Sequence, residues 1–218
     1  MTGHPAWKQW KSRHINDQAD RKTQGEANHK CVHIWHGSGD KPIWYSEMGW
    51  PISKADGGYF AMKDKDFATP LLQAAYVCRT YAYAMRLGVG RVHIMFATDT
   101  DNFNAGFFLR DGTWRPAAKA VETMISLMGT PRLESAISDG KDGYYAYCFY
   151  TAAPRTEIAG DPCVVMAWNV AGPKTVEIAL KRAGKPVLID MLGNPKLLEA
   201  KDGKVTVEVG PLPVYIKE

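Results

Sequence analysis

The stretch Asp40-Lys-Pro-Ile-Trp-Tyr-Ser-Glu-Met-Gly-Trp-Pro51 decides how the rest of the chain is read. It is short, apolar and aromatic, and Gly49 and Pro51 stop it, so residues 41–51 are expected to form a buried strand. Alternation puts Ile43, Tyr45 and Glu47 on one face and Trp44, Ser46 and Met48 on the other. A carboxylate therefore ends the strand. Buried parallel strands are usually apolar throughout, and an ionised Glu there is costly unless it is paired or has a task. The carboxyl ends of parallel strands are where α/β enzymes place their active sites. On the residues alone Glu47 is a candidate nucleophile or general base, and the alternative is a Glu paired with a buried Arg or Lys.

Downstream, residues 71–88 (LLQAAYVCRTYAYAMRLG) have helical spacing and a terminal glycine, and RVHIMFAT at 91–98 reads as a second apolar strand. A helix is expected from Pro116 to Met128, with proline at its start and Gly129 beyond its end. Strand, helix, strand, helix is the grammar of parallel βα units. Upstream, the first forty residues read as helical and polar. Ala27, Cys31, Ile34 and Trp35 fall on one helical face ending at Gly37.

At Gly129-Thr-Pro131 the grammar changes. Short strands are expected at Arg132–Ile137, Tyr144–Thr151, Cys163–Asn169, Thr175–Leu180, Pro186–Asp190, near Leu197, at Lys204–Val209 and at Val214–Lys217. Their separators, such as SDGKDG and AGPK, are turn chemistry. Regularly spaced short strands of this kind indicate an antiparallel sandwich. The chain divides near residue 130 into a βα part, 1–130, and an all-β part, 131–218.

The opening motif and its surroundings resemble clan A glycoside hydrolases. In their seventh strand a K-P-(aliphatic)-W-x-(S/T)-E-x-G-(aromatic) run ends in the glutamate that attacks the sugar, and Pro42, Trp44, Ser46, Glu47, Gly49 and Trp50 fit it. The helix at 71–88 and the strand RVHIMFAT resemble the seventh helix and eighth strand. GFFLRDGTWRPAAKAVETM resembles the segment leading into the last helix, and the run from Pro186 to Ile216 resembles the β-sandwich that several of these families carry after the barrel. The resemblance implies an α/β plus all-β chain: the last two βα units of a partial (β/α)8 (TIM) barrel, then an antiparallel β-sandwich. It also implies a glycosidase that cleaves O-glycosidic bonds with retention, with Glu47 as nucleophile and an oligo- or polysaccharide as substrate.

Retention needs a second carboxyl group about 5–5.5 Å from the first. In clan A that acid sits in an Asn-Glu pair after strand four, and the chain has no Asn-Glu dipeptide. A complete barrel takes about 250 residues, and the chain has 218. The expectation is the C-terminal part of a longer enzyme, lacking the first barrel strands. Alternatives are a non-catalytic carbohydrate-binding or interaction protein with an exposed aromatic row on its sandwich, and self-association of several copies to complete a barrel. For the row, Tyr144 and Tyr150, or Tyr145, Tyr147 and Phe149, share a face.

Around Glu47, Trp50 and Phe103 are candidate platforms for a sugar ring, and Phe96 is more readily core. Tyr45 is a candidate to orient the carboxylate or simply to fill the core. Asp99, Asp101 and Asn102 are expected to form a polar rim able to hydrogen-bond sugar hydroxyls. His93 is expected to make a structural hydrogen bond. His29, His33 and His36 share a helical face without an accompanying carboxylate. The run from Asp99 to Asn104 breaks the calcium-loop pattern at Phe103 and Asn104. No metal and no cofactor is expected.

With 45% apolar and 23% charged residues the chain has the means to bury a core, which excludes disorder as its main state. The net charge of +4 is spread among acids, so no nucleic-acid partner is expected. No apolar run reaches about 18 residues, and the first residues lack a leader's hydrophobic segment. No membrane association is expected, and the sequence assigns no localisation. The four cysteines form no C-x-x-C pair. Cys148 and Cys163 lie in neighbouring strands, expected to be buried thiols or, in an exported protein, a disulfide.

Overall fold

Parallel strands need a long crossover, and a helix is the usual one. The computed structural model describes residues 33–35, 43–52, 68–95, 97–100, 104–151, 163–182 and 184–218. Its first elements are β1 (His33–Trp35), β2 (Trp44–Met48), α1 (Pro70–Arg86), β3 (Arg91–Ile94) and α2 (Pro116–Met128). β2 and β3 pair in parallel with α1 crossing between them. α1 starts at Pro70 behind Thr69, whose hydroxyl accepts a hydrogen bond from Leu72 N at 3.2 Å. α2 has Pro116 in its first turn and ends at Gly129, whose φ of 59° suits glycine.

The helix expected to end at Gly37 is corrected. His33–Trp35 is a strand, antiparallel to β2. Backbone pairing to a neighbouring strand overrides a weak helical periodicity. His29, His36, Cys31 and the earlier helical segments lie outside the described residues.

Eight strands follow, at nearly the expected places: β4 (Arg132–Asp139), β5 (Tyr144–Tyr150), β6 (Cys163–Asn169), β7 (Lys174–Ala179), β8 (Val187–Asp190), β9 (Pro195–Leu197), β10 (Lys204–Val209) and β11 (Val214–Lys217). Every pairing among them is antiparallel. Six form one sheet in the order β4-β5-β6-β11-β8-β9, and β7 and β10 form a two-stranded ribbon. Between β4 and β5, Gly140 has φ 87°, and a Cβ there would lie 2.5 Å from the Tyr145 ring. Only glycine fits this turn.

Strands β5 and β6 are buried on both faces. On one face Tyr145, Tyr147, Phe149, Val164, Met166, Trp168 and Tyr215 meet small residues of the helices, chiefly Ala74, Ala75, Cys78, Ala82, Ala117 and Ala120. Those alanines let the helices approach while the sheet supplies the bulk. On the other face Ala146, Cys148, Val165, Ala167 and Ile216 meet Val176, Ile178, Val205, Val207 and Val209 of the ribbon. Tyr145 stacks on Trp168 with centroids 5.0 Å apart and 9° between planes, and Tyr83 of α1 meets Tyr145 edge-on. Each such aromatic pair adds about 0.5–1.5 kcal/mol beyond its buried area. Arg86 Nη2 reaches Asp139 Oδ2 at 3.0 Å, and the Tyr147 hydroxyl donates to Asp139 Oδ1 at 2.8 Å. This network ties the end of α1 to β4 and β5.

The aromatic row expected of a sugar-binding face is thus spent on the core. Tyr145, Tyr147 and Phe149 are buried, and Tyr144 and Tyr150 are half-buried under Lys174 and Arg132. Cys78, Cys148 and Cys163 are buried free thiols. Burial pushes Cys78 and Cys148 up to about 12, and burial also raises Tyr147 and Tyr215. Among the described residues no helix is long and apolar enough to cross a membrane.

Trp168→Ala is expected to destabilise the chain by about 3–5 kcal/mol in urea denaturation. Because the helices and strands share one core, far-UV and near-UV circular dichroism should trace the same transition. A second expectation follows from the thiols. The folded Cys78 value of about 12 exceeds that of an unfolded thiol, about 8.5, so the native state retains the proton that the unfolded state loses. The thiol's contribution is intact below pH of about 8.5 and is lost towards pH of about 12. The urea midpoint should fall from neutral to alkaline pH, and Cys78→Ala should flatten part of that slope.

Candidate active site

Glu47 owes its position to one extra residue. From Tyr45↔Val92 to Met48↔Ile94, β2 advances three positions while β3 advances two. Towards β1, Glu47 is in register with His33 and Tyr45 with Ile34, so β2 is longer by one there as well. A β-bulge at Ser46-Glu47 accounts for both shifts. The bulge reverses the alternation beyond it. Tyr45 and Met48 both turn towards α1, packing with Ala84, Val92 and Ile94, whereas Trp44, Ser46 and Glu47 are exposed.

This corrects the expected pairing of Tyr45 with Glu47 on one face. Tyr45 is only 2% exposed and packs beneath α1. Strict alternation cannot anticipate a bulge, because the insertion of one residue changes the parity of all that follows.

The face turned away from α1 carries a second set of groups. Arg91 and His93 are exposed in alternation with Val92 and Ile94. The Arg91 guanidinium lies 4.5 Å from the Trp44 ring centroid, and the His93 ring lies 6.5 Å from it at 49°. Trp44 remains 43% exposed. Among the described residues no ion pair involves Glu47, and no group of three His, Cys, Asp or Glu is placed to hold a metal ion.

The end of β2 and the loop beyond it are joined to the segment after β3 by backbone bonds, Met95 N to Met48 O at 2.6 Å and Ile52 N to Asn104 O at 3.0 Å. Trp50 is half-buried, with its ring 5.8 Å from that of Tyr76 and its carbonyl accepting from Gln73 Nε2 at 3.0 Å. It packs towards α1 rather than standing free beside Glu47. Asp99 is likewise not an open rim group. Its carboxylate and the Arg115 guanidinium form a two-pronged ion pair, with Arg115 Nη1 to Oδ1 at 2.7 Å and Arg115 Nη2 bonded to Oδ2. The side chains are 5% and 4% exposed. Gly106 N donates to Asp99 Oδ1 at 3.1 Å, and a Cβ on Gly106 would stand 2.6 Å from the Thr98 carbonyl carbon. Asp99 therefore clamps the loop to the start of α2. Phe96, Asp101, Asn102 and Phe103 lie outside the described residues.

No protein-family model matches the chain, and no curated protein sequence matches it. A solved structure of a family 39 glycoside hydrolase from the gut symbiont Bacteroides cellulosilyticus WH2 superposes with a TM-score of 0.59 at 22% identity. The fold is glycoside hydrolase-like. The match covers 80% of this chain and 33% of the family 39 protein, so the chain spans about a third of that enzyme's length. An Anoxybacillus alpha-amylase matches at 15% identity over 68% of this chain and 33% of its own, with a TM-score of 0.39, too low to bear on the fold.

Within this glycoside hydrolase-like fold, sequence reasoning singled out Glu47 but missed the Arg115 clamp and the Trp44–Arg91 pair. A signal for the clamp was present in Arg115-Pro116: a cation just before a proline-started helix, following a loop that contains Asp99.

Asp99→Ala leaves the Arg115 charge buried without its carboxylate, and should cost about 3–5 kcal/mol. Replacing both residues, as Asp99→Leu with Arg115→Met, should recover much of that loss. A double-mutant cycle by urea denaturation measures the coupling.

Proposed function

We propose that this chain is the C-terminal part of a retaining glycoside hydrolase, with Glu47 as its nucleophile. In this reading β2 and β3 belong to the last two βα units of a (β/α)8 barrel within residues 1–130, a parallel upstream strand would take the edge of β2 that the antiparallel β1 occupies in this structure, and residues 131–218 are an accessory β-sandwich. The observation that carries the proposal is Glu47 at the carboxyl end of a strand in a parallel pair, exposed on the face opposite the helix. In a closed barrel the helices lie outside, so that face is the lumen and its carboxyl end is the site of chemistry. The family 39 neighbour supports the same reading at the level of fold.

The chemistry assigned to Glu47 is nucleophilic. One carboxylate oxygen bonds to the anomeric carbon as the glycosidic oxygen departs, protonated by a second carboxylic acid, which then deprotonates the water that releases the sugar. The second acid and the sugar-selecting loops belong to upstream strands in this proposal. Asp101, Asn102 and Phe103, beyond β3, remain candidates for contacts with an oligo- or polysaccharide. The upstream part would also lie against the free side of β3, which has no partner strand among the described residues. A second copy of the chain is the other way to cover that edge.

The test is made on the polypeptide extended upstream in its own reading frame. That extension should encode an Asn-Glu pair after a strand. Glu47→Gln should lower hydrolysis of aryl glycosides by about a thousandfold or more while circular dichroism is unchanged. Retained activity in the variant would disprove the assignment.

A further inference from the structure

We infer that Gln73 is a positioning residue for Glu47, holding from α1 the backbone segment that follows the attacking carboxylate; this rests on the nucleophile reading above. Directly after the exposed Glu47, residues 48, 49, 51 and 52 are buried. Four hydrogen bonds fix this segment: Met95 N to Met48 O at 2.6 Å, Gln73 Nε2 to Trp50 O at 3.0 Å, Ala68 N to Pro51 O at 3.2 Å and Ile52 N to Asn104 O at 3.0 Å. Three of these are made by backbone alone, so Gln73 supplies the one that depends on a side chain's identity. Gln73 is itself rigidly set. It ends the first turn of α1, its N–H donates to Thr69 O at 2.8 Å, and it is 1% exposed. Tyr76, three residues on and therefore on the same side of the helix, meets the Trp50 ring at 5.8 Å. α1 thus grips Trp50 twice, by its carbonyl and by its ring.

The amide carries a cost. Gln73 Oε1 is buried and has no hydrogen-bond partner among the described residues. An unpaired buried acceptor opposes folding, and an apolar side chain of similar length fills the same space without it. What the amide offers over such a side chain is the N–H for Trp50. Trp50 stands three residues from Glu47, so a displacement of its carbonyl is passed along a short, buried backbone to the carboxylate. A misplacement of about 1 Å at a reacting atom slows reaction about a hundredfold.

The experiment uses the polypeptide extended upstream and a panel of 2-deoxy-2-fluoro glycosides carrying dinitrophenolate as leaving group. In the trapping step a Glu47 oxygen bonds to the anomeric carbon, the carbon–oxygen bond to dinitrophenolate breaks, and the phenolate leaves with the electron pair. No proton moves, so the acid/base group does not affect the rate. Peptide mass spectrometry locates the label, and the maximal inactivation rate is separated from the half-saturating concentration. The wild type should be labelled on Glu47. Gln73→Met, which keeps the length and removes the donor, should slow maximal inactivation about 10–100-fold at every pH with little change in half-saturation. Gln73→Glu puts a titrating group in the same place. Protonated, its O–H donates to Trp50 O; ionised, it has no donor to offer. Burial disfavours the charged form, so the substituted acid titrates above the ordinary value of about 4.3. Its rate relative to wild type should stand near one at acid pH and fall towards the Gln73→Met level as pH rises through that titration. Wild-type protein that is not labelled on Glu47 removes the nucleophile reading, and the role of Gln73 with it. Wild type labelled on Glu47 with Gln73→Met equally fast, or a Gln73→Glu ratio that does not change with pH, overturns the role of Gln73 and leaves the nucleophile in place. Circular dichroism of both variants over the same pH range separates a local effect from unfolding.

Discussion

Burial of one sheet from both sides is the constraint on which the remainder of the structure depends. The sequences YYAYCFY and CVVMAWN leave no solvent face: aromatic and bulky residues point to the helices, and small or β-branched ones point to the ribbon. Full burial of a strand pair is stable only when both faces are covered. The helices of the βα part supply one cover and β7 with β10 the other. The two grammars of the sequence therefore meet in a shared core, and the Arg86–Asp139–Tyr147 network fastens its edge.

A core of this kind fixes the helices, and α1 in turn fixes β2 and β3. Tyr45, Met48, Val92 and Ile94 are covered by lying under α1, which leaves Trp44, Glu47, Arg91 and His93 exposed on the other face. The bulge at Ser46-Glu47 then selects which residues appear on that face. It reverses parity at the carboxyl end of β2, hiding Met48 and turning Glu47 outward. In the proposed barrel this is the difference between a carboxylate pointing at a sugar and one pointing at a helix.

Much of this was legible in the sequence because it rests on local physics. Glycine-rich separators and period-two alternation gave all eight strands after residue 130, and Pro116 with Gly129 delimited α2. Glu47 stood out as a charge in an otherwise apolar strand. What could not be read was set by long-range pairing. His33–Trp35 becomes a strand because β2 offers it a backbone partner, and the parity change at Glu47 exists only relative to the neighbouring strands. Asp99 looked like a solvated rim residue until Arg115, sixteen positions on, closed over it. Each of these depends on a residue that no local window contains.

In the proposed enzyme Glu47 is the nucleophile of a retaining site completed by strands upstream of this chain. An experimental structure of the extended polypeptide tests it most directly, through the distance from the Glu47 carboxylate to the nearest carboxyl group across the lumen. A separation of about 5–5.5 Å is predicted, the spacing that retention requires. A separation of about 6.5–9.5 Å would assign an inverting site and contradict the claim, as would the absence of a second carboxyl group facing Glu47.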